Sequence, residues 1–331
     1  MARKKLILTI DGGGVRGIVP ALVLRKLEEK LKKRKKNAPI GSYFDLIAGT
    51  STGGIIALGL CAPNVKDPTR PACTTDDLVN LYRTRSKEIF GSPQSMQLFG
   101  IMFDDKYSAA PLEGILQELL GDAVSDDILC DFLITAYEIE ERRPKVFSSL
   151  SADGKNRRYF VRDLARATSA APTFFEPARV EKLHQTKNFE SLVDGGLFAA
   201  NPSLVTLMHA RRLGWNMEDI TILSLGTGRE SRPYLYNEVK KWGNISWILA
   251  NRGVPIISML LQSQTVVCDE LMLMLLEDRY LRVDGPLLRN MGSDDLDDAS
   301  DQNIRELEIF AESIMRAPAT EEALETIADM A

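Results

Sequence analysis

Cysteine and histidine are scarce in this chain, and neither is arranged for a metal site. Its 331 residues include four cysteines that lie far apart, without a Cys-x-x-Cys pair, so neither zinc nor a disulfide framework is indicated. The two histidines are His184 and His209, and neither lies in a glycine-rich turn or at an evident strand end. We therefore expect a reducing compartment, the cytoplasm, and a chemistry that does not depend on histidine.

Long apolar runs are also missing, and so is an excess of basic charge. We find no run that approaches the ~20 residues needed to span a bilayer. The basic start at residues 1–5 precedes an apolar run too short for a signal peptide. With 41 Lys and Arg against 46 Asp and Glu, the net charge is −5, which argues against binding a nucleic-acid polymer.

Strand-like and helix-like stretches alternate along the sequence. Strands are predicted at 5–10, 43–49, 130–138, 144–149, 189–193, 219–225 and 279–283. Helices are predicted at 18–36, 52–61, 75–89, 110–120, 160–170, 202–213, 235–250, 255–277, 302–316 and 320–330. This alternation predicts an α/β fold with a mainly parallel central sheet and helices on both faces.

The most informative motif surrounds Ser51, in Gly49-Thr50-Ser51-Thr52-Gly53. An apolar stretch at 43–48 leads into it and a small-residue helix pattern at 54–60 leads out, which is the strand–turn–helix context of a nucleophile elbow. Glycine is needed at 49 and 53 because larger neighbours would collide with the strand and the helix. A serine before a helix can also be a simple N-cap, so this motif alone leaves two interpretations.

Two further turns follow predicted strands. Gly12, Gly13 and Gly14 come after the strand at 5–10, and their bare backbone N–H groups suit an oxyanion hole. Asp194, followed by Gly195 and Gly196, comes after the strand at 189–193 and is a candidate general base. An aspartate has an ordinary pKa near 3.9, so partial desolvation would be needed to make it an effective base.

In these three motifs the chain resembles the patatin-like phospholipases. Other stretches are similar to that family and occur in the family's order: 104–116 around Tyr107, 167–175, 201–202 and 224–228. The resemblance spans roughly residues 4–230. It implies a patatin-like variant of the α/β-hydrolase fold over residues 1–230. Residues 231–331 are expected to form a mostly helical C-terminal part that packs on this core.

The resemblance implies a serine lipid acyl hydrolase with a Ser51–Asp194 dyad and no metal or cofactor. The substrate would be a membrane phospholipid, reached by peripheral contact with the inner membrane surface. Gly12, Gly13 and Gly14 would form the oxyanion hole, and Arg16 is a candidate contact for the lipid phosphate. The alternative for Arg16 is an internal ion pair.

Some bacterial members of the family are defence effectors that a cyclic nucleotide activates to degrade membranes. The compact length and the helical C-terminal third are compatible with such a member. By analogy alone, we hypothesise that a cyclic nucleotide activates the protein, that it acts in antiphage defence and that it forms a homo-oligomer.

Other functions compete with hydrolysis. Gly12 to Gly17 also matches G-x-G-x-x-G, the dinucleotide-binding spacing, but residues 31–36 hold basic side chains where an acidic residue is needed. The stretch from Gly49 lacks the lysine of a phosphate-binding loop, since Ile55 stands there. A catalytically silent binding module on the same fold is the remaining alternative.

The sequence also predicts the environment of three other segments. The basic run at 30–36 is a solvated helix end or a contact for anionic lipid. The acidic run at 294–301 is expected to be an exposed loop with a cap before the next helix. Most of the apolar residues at 235–277 are expected to pack in the core, and some to line an acyl channel.

Overall fold

The architecture described here is that of a computed structural model. It describes residues 4–91, 107–151, 158–183, 189–243, 246–247, 254–288, 292–293 and 295–331.

An eight-stranded sheet forms the centre of the molecule, in the order β5-β6-β3-β2-β1-β7-β9 with β4 paired to β3. A separate two-stranded pair joins β8 and β10. The strand bounds are β1 Lys5–Ile10, β2 Leu46–Gly49, β3 Phe132–Glu138, β4 Arg143–Ser148, β5 Ala178–Glu181, β6 Phe189–Asp194, β7 Ile220–Leu225, β8 Arg229–Glu230, β9 Tyr280–Val283 and β10 Pro286–Leu287.

The sheet is mainly parallel, as the alternation of elements predicts. The pairs β3–β2, β2–β1, β1–β7 and β7–β9 are parallel. The pairs β3–β4, β3–β6 and β5–β6 are antiparallel and lie at one side of the sheet. The β9 strand belongs to the C-terminal part of the chain, which therefore extends the central sheet as well as packing on it.

The strands β2 and β6 pair with successive parts of the same edge of β3, and β4 pairs with its other edge. Gly49 of β2 pairs with Ile134, and Asp194 of β6 pairs with Ala136. Because β2 is parallel to β3 and β6 is antiparallel to it, the carboxyl ends of the two strands point towards each other. Their pairing positions are two residues apart on β3, about 7 Å along the strand. The turns that follow β2 and β6 therefore begin at the same place.

Helices cover both faces of the sheet, as predicted. Alternate residues of β1 show the two layers: Leu6, Leu8 and Ile10 belong to the larger core, whereas Ile7 belongs to a smaller core on the other face. The helix bounds are α1 Ile18–Lys33, α2 Thr52–Cys61, α3 Thr75–Asn80, α4 Ser86–Phe90, α5 Ala110–Leu120, α6 Val161–Thr168, α7 Gly196–Ala199, α8 Ser203–Arg212, α9 Tyr236–Val239, α10 Pro255–Leu276, α11 Asp301–Met315 and α12 Pro318–Met330.

Most predicted elements lie within a few residues of their observed bounds, with three differences. The helix predicted at 75–89 is interrupted by a π-helical segment, Leu81–Arg85. The continuous helix predicted at 235–250 is wrong: α9 ends at Val239 and residues 240–243 are not helical, while residues 244–245 and 248–250 lie outside the described part. The short elements are not predicted, because two to four residues carry little periodic signal; they are β5, β8, β10 and α7.

The basic run is only partly a solvated helix end. Lys30 is buried and forms ion pairs with Glu321 and Glu325 of α12. Arg34 pairs with Glu325 and with Asp329. The exposed members of the run are Lys32, Lys33 and Lys35. The acidic side chains of the last helix therefore neutralise two charges of this run, a pairing between distant segments that local sequence does not reveal.

Two predictions about the segment that forms helix α10 are wrong. The segment Pro255–Arg279 is long and apolar enough, by length and composition, to cross a membrane, so the expectation of no such run is wrong. In the fold, its residues Thr265, Cys268, Met272 and Leu276 are buried against the sheet. Most of its other apolar side chains are exposed, whereas we expected them in the core.

Candidate active site

Ser51 occupies a strained turn between β2 and α2. It is the N-cap of α2 with φ 55° and ψ −125°, a left-handed conformation that is rare outside glycine. Its side chain makes no capping hydrogen bond to the helix. The N-cap interpretation therefore does not account for this serine, whose hydroxyl is left for other contacts.

The elbow glycines are required by close backbone packing. A Cβ on Gly49 would collide with the backbone of Gly53, and a Cβ on Gly53 would collide with the carbonyl oxygen of Ile10. Only glycine allows β1, β2 and α2 to approach each other this closely.

Asp194 ends β6 and shares a pocket with Ser51. Asp194 is 4% exposed, and its Oδ1 accepts a hydrogen bond of 2.7 Å from the N–H of Gly196. Burial raises the pKa of Asp194 to about 6, while the Ser51 hydroxyl and the Gly196 N–H lower it. The carboxylate of Asp194 is thus partly desolvated, as a general base at neutral pH needs to be. The adjacent Gly195 has no room for a Cβ beside Thr135.

The last residue of α6 and the loop that follows this helix contact both Ser51 and Asp194. The backbone N–H of Ser51 donates to Thr168 Oγ1 at 2.9 Å, and the N–H of Asp194 donates to the carbonyl of Ala170 at 2.9 Å. From the sequence, residues 167–175 are only a family-like stretch, and Thr168 has no predicted role. That role is visible only once the fold brings α6 beside the elbow.

The glycine-rich loop offers two free donors. The N–H of Gly12 already donates to the carbonyl of Ala200 at 3.0 Å, so the prediction that Gly12 is an oxyanion donor is corrected. A Cβ on Gly12 would lie 3.2 Å from the Cβ of Ser51, so glycine there permits close approach instead. Among the described residues, the N–H groups of Gly13 and Gly14 have no acceptor, and both glycines line the pocket.

An arginine of β9 clamps the start of this loop. Arg282 donates from Nη1 to Asp11 Oδ1 at 3.0 Å and from Nη2 to Asp11 Oδ2 at 2.7 Å. The same side chain contacts Asp284 and Asp269. Burial raises the pKa of Asp11 to about 7, with Arg282 opposing the rise. One guanidinium thus faces three carboxylates, two of them buried, directly behind the glycine-rich loop.

The acidic run packs against the same loop. The N–H of Val15 donates to the carbonyl of Leu296 at 2.9 Å, and a Cβ on Gly14 would collide with that carbonyl. Asp297 is buried and accepts a 2.7 Å hydrogen bond from Tyr107. The expectation of an exposed loop is therefore wrong for this segment, although Ser300 does cap α11 as predicted.

Arg16 and the histidines lie elsewhere. The Arg16 side chain is buried and is not part of the pocket lining, so the structure does not support a phosphate contact there. Its Nε and Nη1 have no hydrogen-bond partner within the described ranges. His209 is half-buried, contacts the carbonyl of Leu150 at 3.0 Å through Nε2 and does not line the pocket. His184 falls outside the described residues.

The pocket joins these polar groups to an apolar interior. It has a volume of about 110 Å³ that the centre of a water molecule can occupy, and it is open to solvent. Its polar wall includes Ser51, Asp194, Gly13 and Gly14. Its apolar wall comes from several helices and from the loop after α6, and includes Ile55, Phe90, Leu112, Ile115, Phe174 and Leu261. The described part of the chain has no cluster of His, Cys, Asp and Glu suited to a metal ion.

Comparisons with known proteins find similarity to one family. The model of the patatin-like phospholipase family matches residues 8–207. Patatin-like protein 2 of Oryza sativa subsp. indica is 32% identical, over 97% of this chain and 86% of that protein. Patatin-2-Kuras 3 of Solanum tuberosum is 31% identical over the same shares. The solved structure of VipD from Legionella pneumophila aligns with 94% of this chain and 67% of its own, at 13% identity and a TM-score of 0.38. The similarity to the two plant proteins continues past residue 230.

Proposed function

The chain belongs to the patatin-like phospholipase family of lipid acyl hydrolases, and on this premise we propose that Ser51 and Asp194 hydrolyse acyl esters of membrane phospholipids. One observation carries the proposal: a serine on a strained elbow and a buried, desolvated aspartate share the polar wall of an apolar pocket. The polar wall suits the ester and the apolar wall suits the acyl chain.

The first half of the reaction transfers the acyl group to the enzyme. Asp194 takes the hydroxyl proton as Ser51 Oγ bonds to the ester carbonyl carbon. The carbonyl electron pair moves onto oxygen, and the N–H groups of Gly13 and Gly14 stabilise this oxyanion. When the intermediate collapses, the bond to the leaving alcohol breaks and the alcohol oxygen takes the proton from Asp194.

The second half returns the enzyme to its starting state. Water attacks the acyl-serine carbonyl carbon and gives its proton to Asp194. The oxyanion forms again at Gly13 and Gly14, the bond to Ser51 Oγ breaks, and Oγ takes the proton back. A pKa near 6 supports this role, because the carboxylate is ionised at neutral pH yet is a stronger base than an ordinary aspartate.

Fatty-acid release from phospholipid vesicles tests the proposal. The wild-type protein should release fatty acid, and Ser51→Ala and Asp194→Ala should not, while all three remain folded by circular dichroism. Ser203→Ala is a matched control, since this buried serine lies outside the pocket lining. Equal binding of vesicles by all proteins without any release would favour the silent binding module instead.

The family resemblance also supports a finer proposal about regulation. We propose that a cyclic nucleotide activates the enzyme in antiphage defence, with the protein acting from the cytoplasm at the inner membrane surface, where a homo-oligomer is the candidate active form. Adding cyclic nucleotides to the vesicle assay should raise the rate of fatty-acid release. If none of them stimulates release, the effector proposal fails while the hydrolase proposal stands.

A further inference from the structure

We propose that the exposed apolar face of α10 docks the protein on the surface of a lipid bilayer, so that the pocket opens onto its substrate. This inference rests on the proposed function and names the surface through which lipid is reached. The docking face is defined by six side chains that are 39% to 78% exposed: Ile256, Met259, Leu260, Val267, Leu271 and Met274.

The docking face runs along one side of the helix. Its members follow one another at three, one, seven, four and three residues, which keeps them on one side of an α-helix. The opposite side, which includes Cys268 and Met272, is buried against the sheet. The helix is therefore anchored by one apolar side while it presents a second one outward.

Such a face is unusual on a surface helix. An exposed side is normally polar, yet Asp269 and Glu270 are the only charged residues in the 22 residues of α10. Asp269 lies 3.2 Å from Arg282, whereas Glu270 and Ser263 are exposed on the same side of the helix as the docking face. A surface on which exposed apolar side chains outnumber the polar ones in this way marks an interaction site rather than an ordinary solvated helix.

The docking face is continuous with the pocket, which identifies its occupant. Ile257 and Leu261 are direct neighbours of Ile256 and Leu260 in α10, and both line the pocket together with Ser51. Leu197 is both exposed and part of the pocket lining. A bilayer seated on the docking face would bring acyl chains to the rim of the pocket, whereas a protein bound there would cover that rim.

Apolar contact, rather than charge, would hold the protein on the bilayer. None of the six side chains of the docking face is charged, and the basic run at 30–36, two of whose cations pair with α12, does not line the pocket. Binding through the docking face should therefore persist on zwitterionic lipid and should change little with salt concentration.

Vesicle flotation with phosphatidylcholine tests the inference in the Ser51→Ala background, where lipid is not consumed. The variants Leu260→Asp and Met274→Asp should each weaken vesicle binding at least about tenfold, because a charge replaces a side chain buried in lipid. Ile309→Asp is the matched control: Ile309 is 56% exposed on α11, away from the pocket, and this variant should bind as its parent does.

Hydrolysis of a water-soluble short-chain ester, measured with Ser51 intact, separates docking from catalysis. The docking-face variants should keep this activity while losing hydrolysis of vesicles. Leu260→Ser and Met274→Ser serve as milder variants if the aspartates unfold the protein. Vesicle binding that equals the parent's would overturn the inference. So would a homodimer in sedimentation velocity that dissociates in these variants without loss of vesicle binding, because the face would then join two copies of the chain. Docking without any fatty-acid release by the wild type would refute the proposed function and leave this inference standing.

Discussion

Replacing Asp194 by asparagine should stabilise the folded protein at neutral pH while it removes ester hydrolysis. The carboxylate is buried, and its polar contacts are the Gly196 N–H and the Ser51 hydroxyl. Among the described residues, no cation offsets the loss of hydration of its charge. Asparagine has nearly the same shape and can still accept the hydrogen bond from Gly196, but it carries no charge to bury.

The expected gain follows from the pKa of Asp194. Burial raises this pKa from 3.8 to about 6. A tenfold change in proton affinity corresponds to about 1.4 kcal/mol, so the charged form is disfavoured by about 3 kcal/mol in the folded state. Because the folded pKa is the higher one, the folded protein binds the proton more tightly than the unfolded chain. The wild type therefore loses stability as pH rises from about 4 to about 6.

Urea unfolding of both proteins across this pH range gives the test. The free energy of unfolding of Asp194→Asn minus that of the wild type should increase by about 3 kcal/mol between about pH 4 and about pH 7, because all other titrating groups cancel. Asp163→Asn is a useful control at a less buried aspartate outside the pocket. A difference that stays constant with pH would refute the assignment of Asp194 as a desolvated base.

Three further predictions concern the site. The kcat/KM for a soluble ester should fall about tenfold for each pH unit below about 6, as Asp194 becomes protonated; a flat profile would contradict its role as base. Gly14→Ala should reduce kcat by about 10²–10³, since the residue has φ 57° and a Cβ there would collide with Leu296, while Gly114→Ala, with open space around it, should leave kcat unchanged. Arg282→Met should lower the free energy of urea unfolding by about 3–5 kcal/mol, because it leaves buried carboxylates unpaired. Arg282→Lys should restore part of this free energy. Equal stability of Arg282→Met and the wild type would exclude a stabilising role for the Arg282–Asp11 ion pair.

The parts of the site that depend on local backbone could be predicted from sequence. Ser51 and Asp194 each follow a strand and precede glycines, and a few adjacent residues determine the conformation of such turns. Glycine at 49 and 53 is likewise predicted on steric grounds, which the packing of β1, β2 and α2 supports. Strand and helix positions were predictable for the same reason, since their periodicities are local.

The parts that depend on distant pairing could not be predicted. Arg282 reaches Asp11 across 271 residues of chain, and Leu296 packs on the loop at Gly14 without any local signal for that contact. The burial of Lys30 under α12 has the same origin. For α10 the sequence indicates an apolar helix, but not which of its sides lies against the sheet.

The central claim is that Ser51 is the nucleophile and that Asp194 activates it. Its most direct test is labelling with a fluorophosphonate, followed by mass spectrometry of the digested protein to locate the adduct. The adduct should lie on Ser51 in the wild type, be absent from Ser51→Ala and form at a strongly reduced rate in Asp194→Asn. An adduct on another residue, or labelling of Ser51→Ala at the wild-type rate, would contradict the account.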